Sequence, residues 1–439
     1  MTTLKLMSLF VAVAVGFVMS AYGVAYLVAS SRDEALVADG AQAATQTDTP
    51  AAGTQIAFWS KRVAGRPRAY LELTLLGQAF ARKARETSDA GSYLRAEVAL
   101  KRALRANPKH VPAAVALSSV LLAMHDFQGA LVTARQVVDH PHGVQALATV
   151  GDASLALGRY RRGQAAYARL LDWSPTAAAY SRLAVLADLR GKPGEALRLL
   201  DRAERLARES GDDGESLAWY AFRQGEVAFR AGRIELAESR YRSALRAFPG
   251  YPLALGGLGK AKAAKGETSA AIAVYRRLAE IAPQPDYLAT LGDLYSRVGD
   301  SRAAREQYGA VGVLARLARA TGRLYDRQVA ISYADRGVSL GEARRLALGE
   351  LRARKDVHGF DAAAWTLARS GRCEEALPLA RRALRLGTKD ALLFFHRGYA
   401  EGCAGNAAAR RAWYARALDL DPHFSIRWAP VARAALRDR

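Results

Sequence analysis

The sequence predicts an all-α chain built as a solenoid of stacked helix pairs. Three observations carry this. A self-similar period of about 34 residues runs from roughly residue 70 to the C-terminus. Alanine-rich segments of 12 to 15 residues, punctuated by glycine and apolar at i, i+3 and i+4, describe some twenty amphipathic helices. Strand signals are nearly absent, and a composition of 51% hydrophobic and 24% charged residues belongs to a folded chain. One such helix pair cannot bury its apolar face alone, so stacking has to supply a continuous core.

At the N-terminus, Leu6 to Ala29 is 24 residues without a charge, long enough to span a bilayer. Residues 1–29 are read as a signal anchor or a signal peptide. The run is longer than the apolar region of a secretory signal, but cleavage after Ala25 or Ala29 also fits. Either way the domain behind it is expected outside the cytoplasm, as a single-pass membrane protein or a secreted one. Residues 30–57 lack a helical stripe and read as a flexible linker.

Residues 58–422 hold the repeats. Pro108, Pro175, Pro249, Pro283 and Pro422 each close one, at separations of 67, 74, 34 and 139 residues, or two, two, one and four periods. The excess in the 74-residue gap falls at ARESGDDG, expected to lengthen a loop. Gly225, Ala237, Tyr241, Ala244 and Pro249 return as Gly259, Ala271, Tyr275 and Pro283, and Gly292, Ala304 and Tyr308 repeat the offsets. Small residues recur where helices approach closely, with an aromatic filling the gap between pairs. This pattern resembles the tetratricopeptide repeat, with LGDLY at Leu291–Tyr295 matching its first helix and ALRAFP and ALDLDP the end of its second. Gly163 and Arg410 depart from it, standing where the family usually has alanine. The resemblance implies a right-handed superhelical solenoid of about ten helix-turn-helix repeats, with the first helices lining a concave groove. Residues 423–439, opening apolar and closing basic, suit a C-terminal capping helix.

The two cysteines, Cys373 and Cys403, fall in neighbouring repeats that stacking could bring together. In an oxidising compartment an even count suggests a disulfide worth about 3 kcal/mol; the alternative is two separate core thiols.

The net charge is +22, and beyond residue 57 there are 62 bases against 38 acids, a net of +24. Such a balance invites a polyanion or an anionic membrane surface as partner, held by the Arg-rich second helices. Only 11 of the 64 bases are lysine, however, and arginine rich with alanine and glycine is what GC-rich codons encode. No aromatic platform for single strands is evident, so nucleic acid is not expected.

Positions 2, 5, 9 and 12 of each first helix share a stripe, which the resemblance places in the concave groove. Reading it gives Asp152, Asp188, Glu226, Asp293 and Asp335, with Trp219, Phe222, Phe229, Tyr325, Phe395 and Tyr399. An acidic and aromatic stripe would favour a protein segment carrying Lys or Arg beside an apolar anchor. The competing reading is that the acids are ordinary repeat residues and the rings core.

No catalytic group, metal or cofactor is expected. GVSLG at Gly337–Gly341 fits a nucleophile elbow, but it lies between two helices rather than after a strand, and Ser339 with Glu342 reads as a capping box. GGLGK lacks phosphate-loop spacing because Ala254 and Ala261 replace the required residues. His140 and His142 sit in a turn without an acidic or cysteine partner at zinc-like spacing. The expected role is a non-catalytic interaction scaffold, whose partners are other proteins and, through residues 6–29, a bacterial membrane.

Overall fold

The computed structural model describes residues 52–66, 68–212, 214–321 and 326–437. The apolar run 6–29, the linker up to residue 51 and Tyr325 lie outside the described residues. Among those described there are 22 α-helices and no strands, and no helix is long and apolar enough to cross a membrane.

A leading helix, α1 (Ala52–Ala64), starts six residues inside the segment read as linker, because Ile56, Trp59 and Val63 form a short apolar stripe packed into the first core cluster. Ten helix pairs follow. The first five are α2 (Tyr70–Thr87) with α3 (Ala90–Ala106), α4 (Val111–Ala123) with α5 (Phe127–Arg135), α6 (Ala146–Ala156) with α7 (Tyr160–Trp173), α8 (Ala177–Leu189) with α9 (Pro193–Glu209), and α10 (Gly214–Arg230) with α11 (Ile234–Ala247). The second five are α12 (Pro252–Ala264) with α13 (Thr268–Ile281), α14 (Pro285–Arg297) with α15 (Ser301–Thr321), α16 (Asp326–Arg336) with α17 (Leu340–Ala353), α18 (Val357–Arg369) with α19 (Cys373–Ala383), and α20 (Ala391–Cys403) with α21 (Ala407–Leu420). A last helix, α22 (Trp428–Arg437), caps the stack.

Each pair turns through a residue of positive φ, and the eighth pair through two, Gly337 and Ser339. Eight are glycines, from Gly158 (φ 72°) to Gly405 (φ 87°); Ser88 and His125 serve the first two pairs. A left-handed residue after a helix satisfies its last carbonyls, and glycine adopts it without steric cost. Glycines inside several first helices have a different reason. A methyl at Gly151, Gly225 or Gly292 would overlap the ring of Tyr167, Tyr241 or Tyr308 at 2.0, 2.5 or 2.4 Å. The two departures are compensated by neighbours: Gly163 makes room for Leu155, and the stem of Arg410 lies where a Gly402 side chain would be.

Two local expectations are corrected. The extra residues around ARESGDDG lengthen helices rather than a loop: α9 and α10 each reach 17 residues, because Ala203 and Ala207 continue the buried stripe. Ser339 does not form a capping box. It adopts the left-handed region (φ 48°), where its hydroxyl makes no cap bond, and Glu342 pairs instead with Arg345 at 2.7 Å. Cys373 and Cys403 are joined by a disulfide between the start of α19 and the end of α20, with 5.3 Å between their Cα atoms.

The stack also closes on itself. Lys355 N–H donates to the Ala156 carbonyl at 2.8 Å, and Val357 N–H donates to the Tyr160 hydroxyl at 3.0 Å, 197 residues away. Thr388 Oγ1 donates to the Leu189 carbonyl, 199 residues away. Gly158, Gly191 and Gly232, the turns of three successive pairs, lie so near the carbonyls of Lys355, Gly387 and Leu420 that a methyl would fall 2.5, 2.1 and 2.2 Å from them. Turns of the third, fourth and fifth pairs thus meet the loops that follow the eighth, ninth and tenth, along a seam that brings two separate stretches of the superhelix together.

Candidate functional site: the concave channel

Three first helices carry glycine followed by an acid, and the tyrosine fifteen residues after the acid comes from the second helix. Tyr167 donates to Asp152 at 2.6 Å, Tyr241 to Glu226 at 2.7 Å and Tyr308 to Asp293 at 2.7 Å. The glycine admits the ring, and the ring then delivers its hydroxyl to the acid. Where Lys260 replaces the acid after Gly259, Tyr275 turns to the Gly256 carbonyl instead, at 3.1 Å.

Each acid also holds a cation or an indole from elsewhere in the channel. Asp152 accepts from Arg182 at 3.1 Å, and Asp188 pairs with Arg230. Glu226 pairs with Lys260 at 2.7 Å, and Arg230 stands 3.6 Å away. Burial alone would raise the Glu226 carboxyl, but Lys260 and Arg230 outweigh it and hold it down to about 2. Asp335 accepts from two indoles, Trp365 at 2.8 Å and Trp428 at 2.9 Å; burial pushes it above the usual carboxylate range despite them.

The channel is filled at its C-terminal end by the chain itself. Ile426 packs against the α10–α14 core, Arg427 bonds both Asp293 and the Tyr308 hydroxyl, and Trp428 stacks on Phe395 at 5.4 Å while reaching Asp335. Further along, α4, α6, α8 and α10 face residues 354–358 and 388 across a cavity of about 490 Å³. Its walls include Phe127, Leu155, Val185, Leu189, Arg223 and His358.

Comparison with known proteins finds the tetratricopeptide repeat family over residues 175–250 and again over 222–284. Residues 175–284 are tetratricopeptide repeats. Tetratricopeptide repeats in general mediate protein–protein interaction, and the helix pairs on either side of residues 175–284 continue the same two-helix design. No curated protein matches the chain. Solved structures similar to it include the APC/C hetero-tetramer Cut9–Hcn1 (13% identity, covering 93% of this chain and 96% of that one, TM-score 0.33) and a tetratricopeptide repeat protein from Parabacteroides merdae (16%, 60% and 98%, 0.32). The tetratricopeptide repeat domain of P58(IPK) is a third (13%, 92% and 98%, 0.29).

Within the stack of helix pairs, the stripe read from sequence divides. Asp152, Asp188, Glu226, Asp293 and Asp335 all lie on first helices, each already partnered as described. Trp219 and Phe222 are half-buried packing rings against Tyr220 and against Tyr241 and Tyr251. Phe229 and Phe395 are core residues, 6% and 0% exposed, and offer no surface to a partner. Tyr399 accepts from Arg369 at 3.1 Å and packs edge-on to Trp365. The sequence reading missed the cations. Arg182, Arg223, Arg230 and Lys260 sit on the same first helices, and tabulating bases as well as acids at each turn would have found them. Among the described residues no cluster of three His, Cys, Asp or Glu could hold a metal, and His140 and His142 form a tight turn in which His140 Nδ1 accepts from the His142 N–H.

Proposed function

We propose that the chain is a non-catalytic interaction scaffold of a bacterial cell envelope, held to the membrane or exported by residues 6–29, and that it binds partner segments through its concave channel. The reading is supported by the way residues 426–428 use the stripe. An aliphatic residue, an arginine and a tryptophan in succession engage Asp293, Asp335 and the surrounding rings. That is the chemistry of a basic residue beside an apolar anchor, supplied in cis, and a partner carrying the same chemistry would compete for it.

The test captures envelope proteins on the full-length chain at low and high salt, then elutes with a peptide of residues 422–432. Release of a discrete protein set by this peptide, and not by one carrying Glu for Arg427 and Ala for Trp428, supports the scaffold. Recovery only of acidic polymers or lipids, lost as salt rises, sinks it. That outcome promotes the second reading, a polyanion or anionic membrane-surface binder, which is favoured by exposed arginines such as Arg161, Arg162 and Arg169 on the outer face of α7.

A further inference from the structure

The first three helices carry a third of the excess charge. Residues 52–110 hold 12 bases and four acids, a net of +8 out of the +24 found beyond residue 57. The four acids are each taken by one base: Glu72 by Arg66, Glu86 by Arg82, Asp89 by Arg95 and Glu97 by Lys101. Among the described residues no acid pairs with Lys61, Arg62, Arg102 or Arg105. On α3 the bases gather on one side. Ser92, Ala96, Leu100 and Ala103 bury the inner side of that helix. Leu94, Val98, Lys101, Arg102 and Arg105, spaced to share a stripe, hold the outer one.

Apolar groups are laid among these bases. Val98 is 58% exposed, and beside it a hollow of about 300 Å³ opens between α2 and α3, lined by Leu76, Phe80, Leu94 and Val98 with Arg95 and Arg102. Arg95 spreads its guanidinium over the Phe80 ring, 5.3 Å from its centre. The outer side of α1 repeats the arrangement, with Phe58 53% exposed beneath the guanidinium of Arg62 at 5.6 Å. Bases that answer lipid charge, on stems that run along rings and alkyl groups able to enter the acyl boundary, are the chemistry of an anionic bilayer surface. Only residues 30–51 separate the apolar run 6–29 from α1, at most about 80 Å of chain, so this end of the stack stays near any membrane that the run enters. We propose that the outer face of α3, with the hollow it shares with α2 and the outer side of α1, lies against an anionic lipid surface, so that the stack meets the membrane by its N-terminal end. This rests on the reading of residues 6–29 given above, and it differs from the polyanion reading, which puts the contact on the outer arginines of later helices.

The test mixes the full-length chain with vesicles of phosphatidylcholine, alone or with added phosphatidylglycerol, and reads an environment-sensitive fluorophore on Val98→Cys or, as a control, on Ser269→Cys, exposed on α13. Cys373 and Cys403 are bridged, so the label finds a single thiol. Flotation with the neutral vesicles reports separately on residues 6–29. The label at Val98 should shift to the blue and be quenched by spin-labelled lipid only where phosphatidylglycerol is present, and should lose both effects in about 1 M salt, where charges are screened beyond about 3 Å. Arg102→Glu with Arg105→Glu should abolish the response, while Lys at both positions keeps it. The proposal is overturned if the label at Val98 is as wet on the anionic vesicles as on the neutral ones, or if its response survives the Glu pair. An equal response at Ser269 also overturns it and moves the contact to the outer arginines. Shielding of the Val98 label by envelope extract and not by lipid overturns it too, and gives the face to a protein. If the chain fails to float with neutral vesicles, the reading of residues 6–29 falls on its own, and the shift at Val98 on the anionic ones still decides this inference.

Discussion

Glu226 shows how much one side chain does in this protein: it accepts the Tyr241 hydroxyl, pairs with Lys260 and partly neutralises Arg230. Replacing it with alanine leaves a phenol without its acceptor and two cations facing each other. Since Lys260 keeps 36% of its side chain accessible, the loss should be about 2 kcal/mol, below the 3–5 of a fully buried pair, as read by urea unfolding. Its carboxyl is depressed to about 2, so its contribution is complete above the unfolded value of about 4.3 and fades as pH falls from there toward 2. The natural chain should therefore lose stability across that window more steeply than Glu226→Gln. His396 works in the opposite sense. Burial would lower it, but Asp361, 2.9 Å away, more than offsets this and raises it. Its contribution is present below about 6.5 and is lost as pH climbs through the raised value; Asp361→Asn should bring the imidazole below 6.5, measurable by NMR titration. At this scale the glycines, the tyrosines and the acids were legible, because close packing and a fixed fifteen-residue reach recur in three of the pairs. Their cations were legible in part: Arg182 and Lys260 stand 30 and 34 residues from Asp152 and Glu226, about one repeat, but Arg427 reaches Asp293 across 134 residues, a distance no period announces.

Helices were legible wherever apolar spacing and a turn glycine agreed, which is nearly everywhere from α2 onward. The misreadings came where polar residues sat on a continuing stripe. The α9 extension keeps Ala203 and Ala207 buried beneath an Arg- and Glu-rich exterior, and α1 is short enough that three apolar residues decide it. At Ser339 the motif letters fit a cap while the backbone adopts the left-handed turn that its neighbours give to glycine. The turn glycines allow a controlled comparison. Gly299 (φ 84°) has open space around its α-carbon, whereas Gly232 (φ 71°) faces the Leu420 carbonyl. Alanine at Gly299 should cost about 1–2 kcal/mol, the left-handed penalty alone. Alanine at Gly232 should cost at least about 1 kcal/mol more, since a backbone carbonyl must move. Equal losses in urea unfolding would mean that the seam yields freely at that point.

A linear array of repeats unfolds piecemeal, because each unit touches only its neighbours. Here the third to fifth pairs are tied to the loops following the eighth to tenth, so equilibrium unfolding of the described region should be a single transition by both fluorescence and circular dichroism. Gly191→Val, which drives a branched side chain into the Gly387 carbonyl, should separate the two probes. Coincident transitions in that variant would show that the ties contribute little. Nothing in the sequence foretold the seam, since its bonds are mostly made by main-chain groups that every residue possesses. The same ties decide how anything reaches the interior. An open groove is approached broadside, and encounter is limited by diffusion and orientation at about 10⁵–10⁷ M⁻¹s⁻¹. A channel clasped along one flank is closed to approach from that side, so capture should be slower than at an open groove.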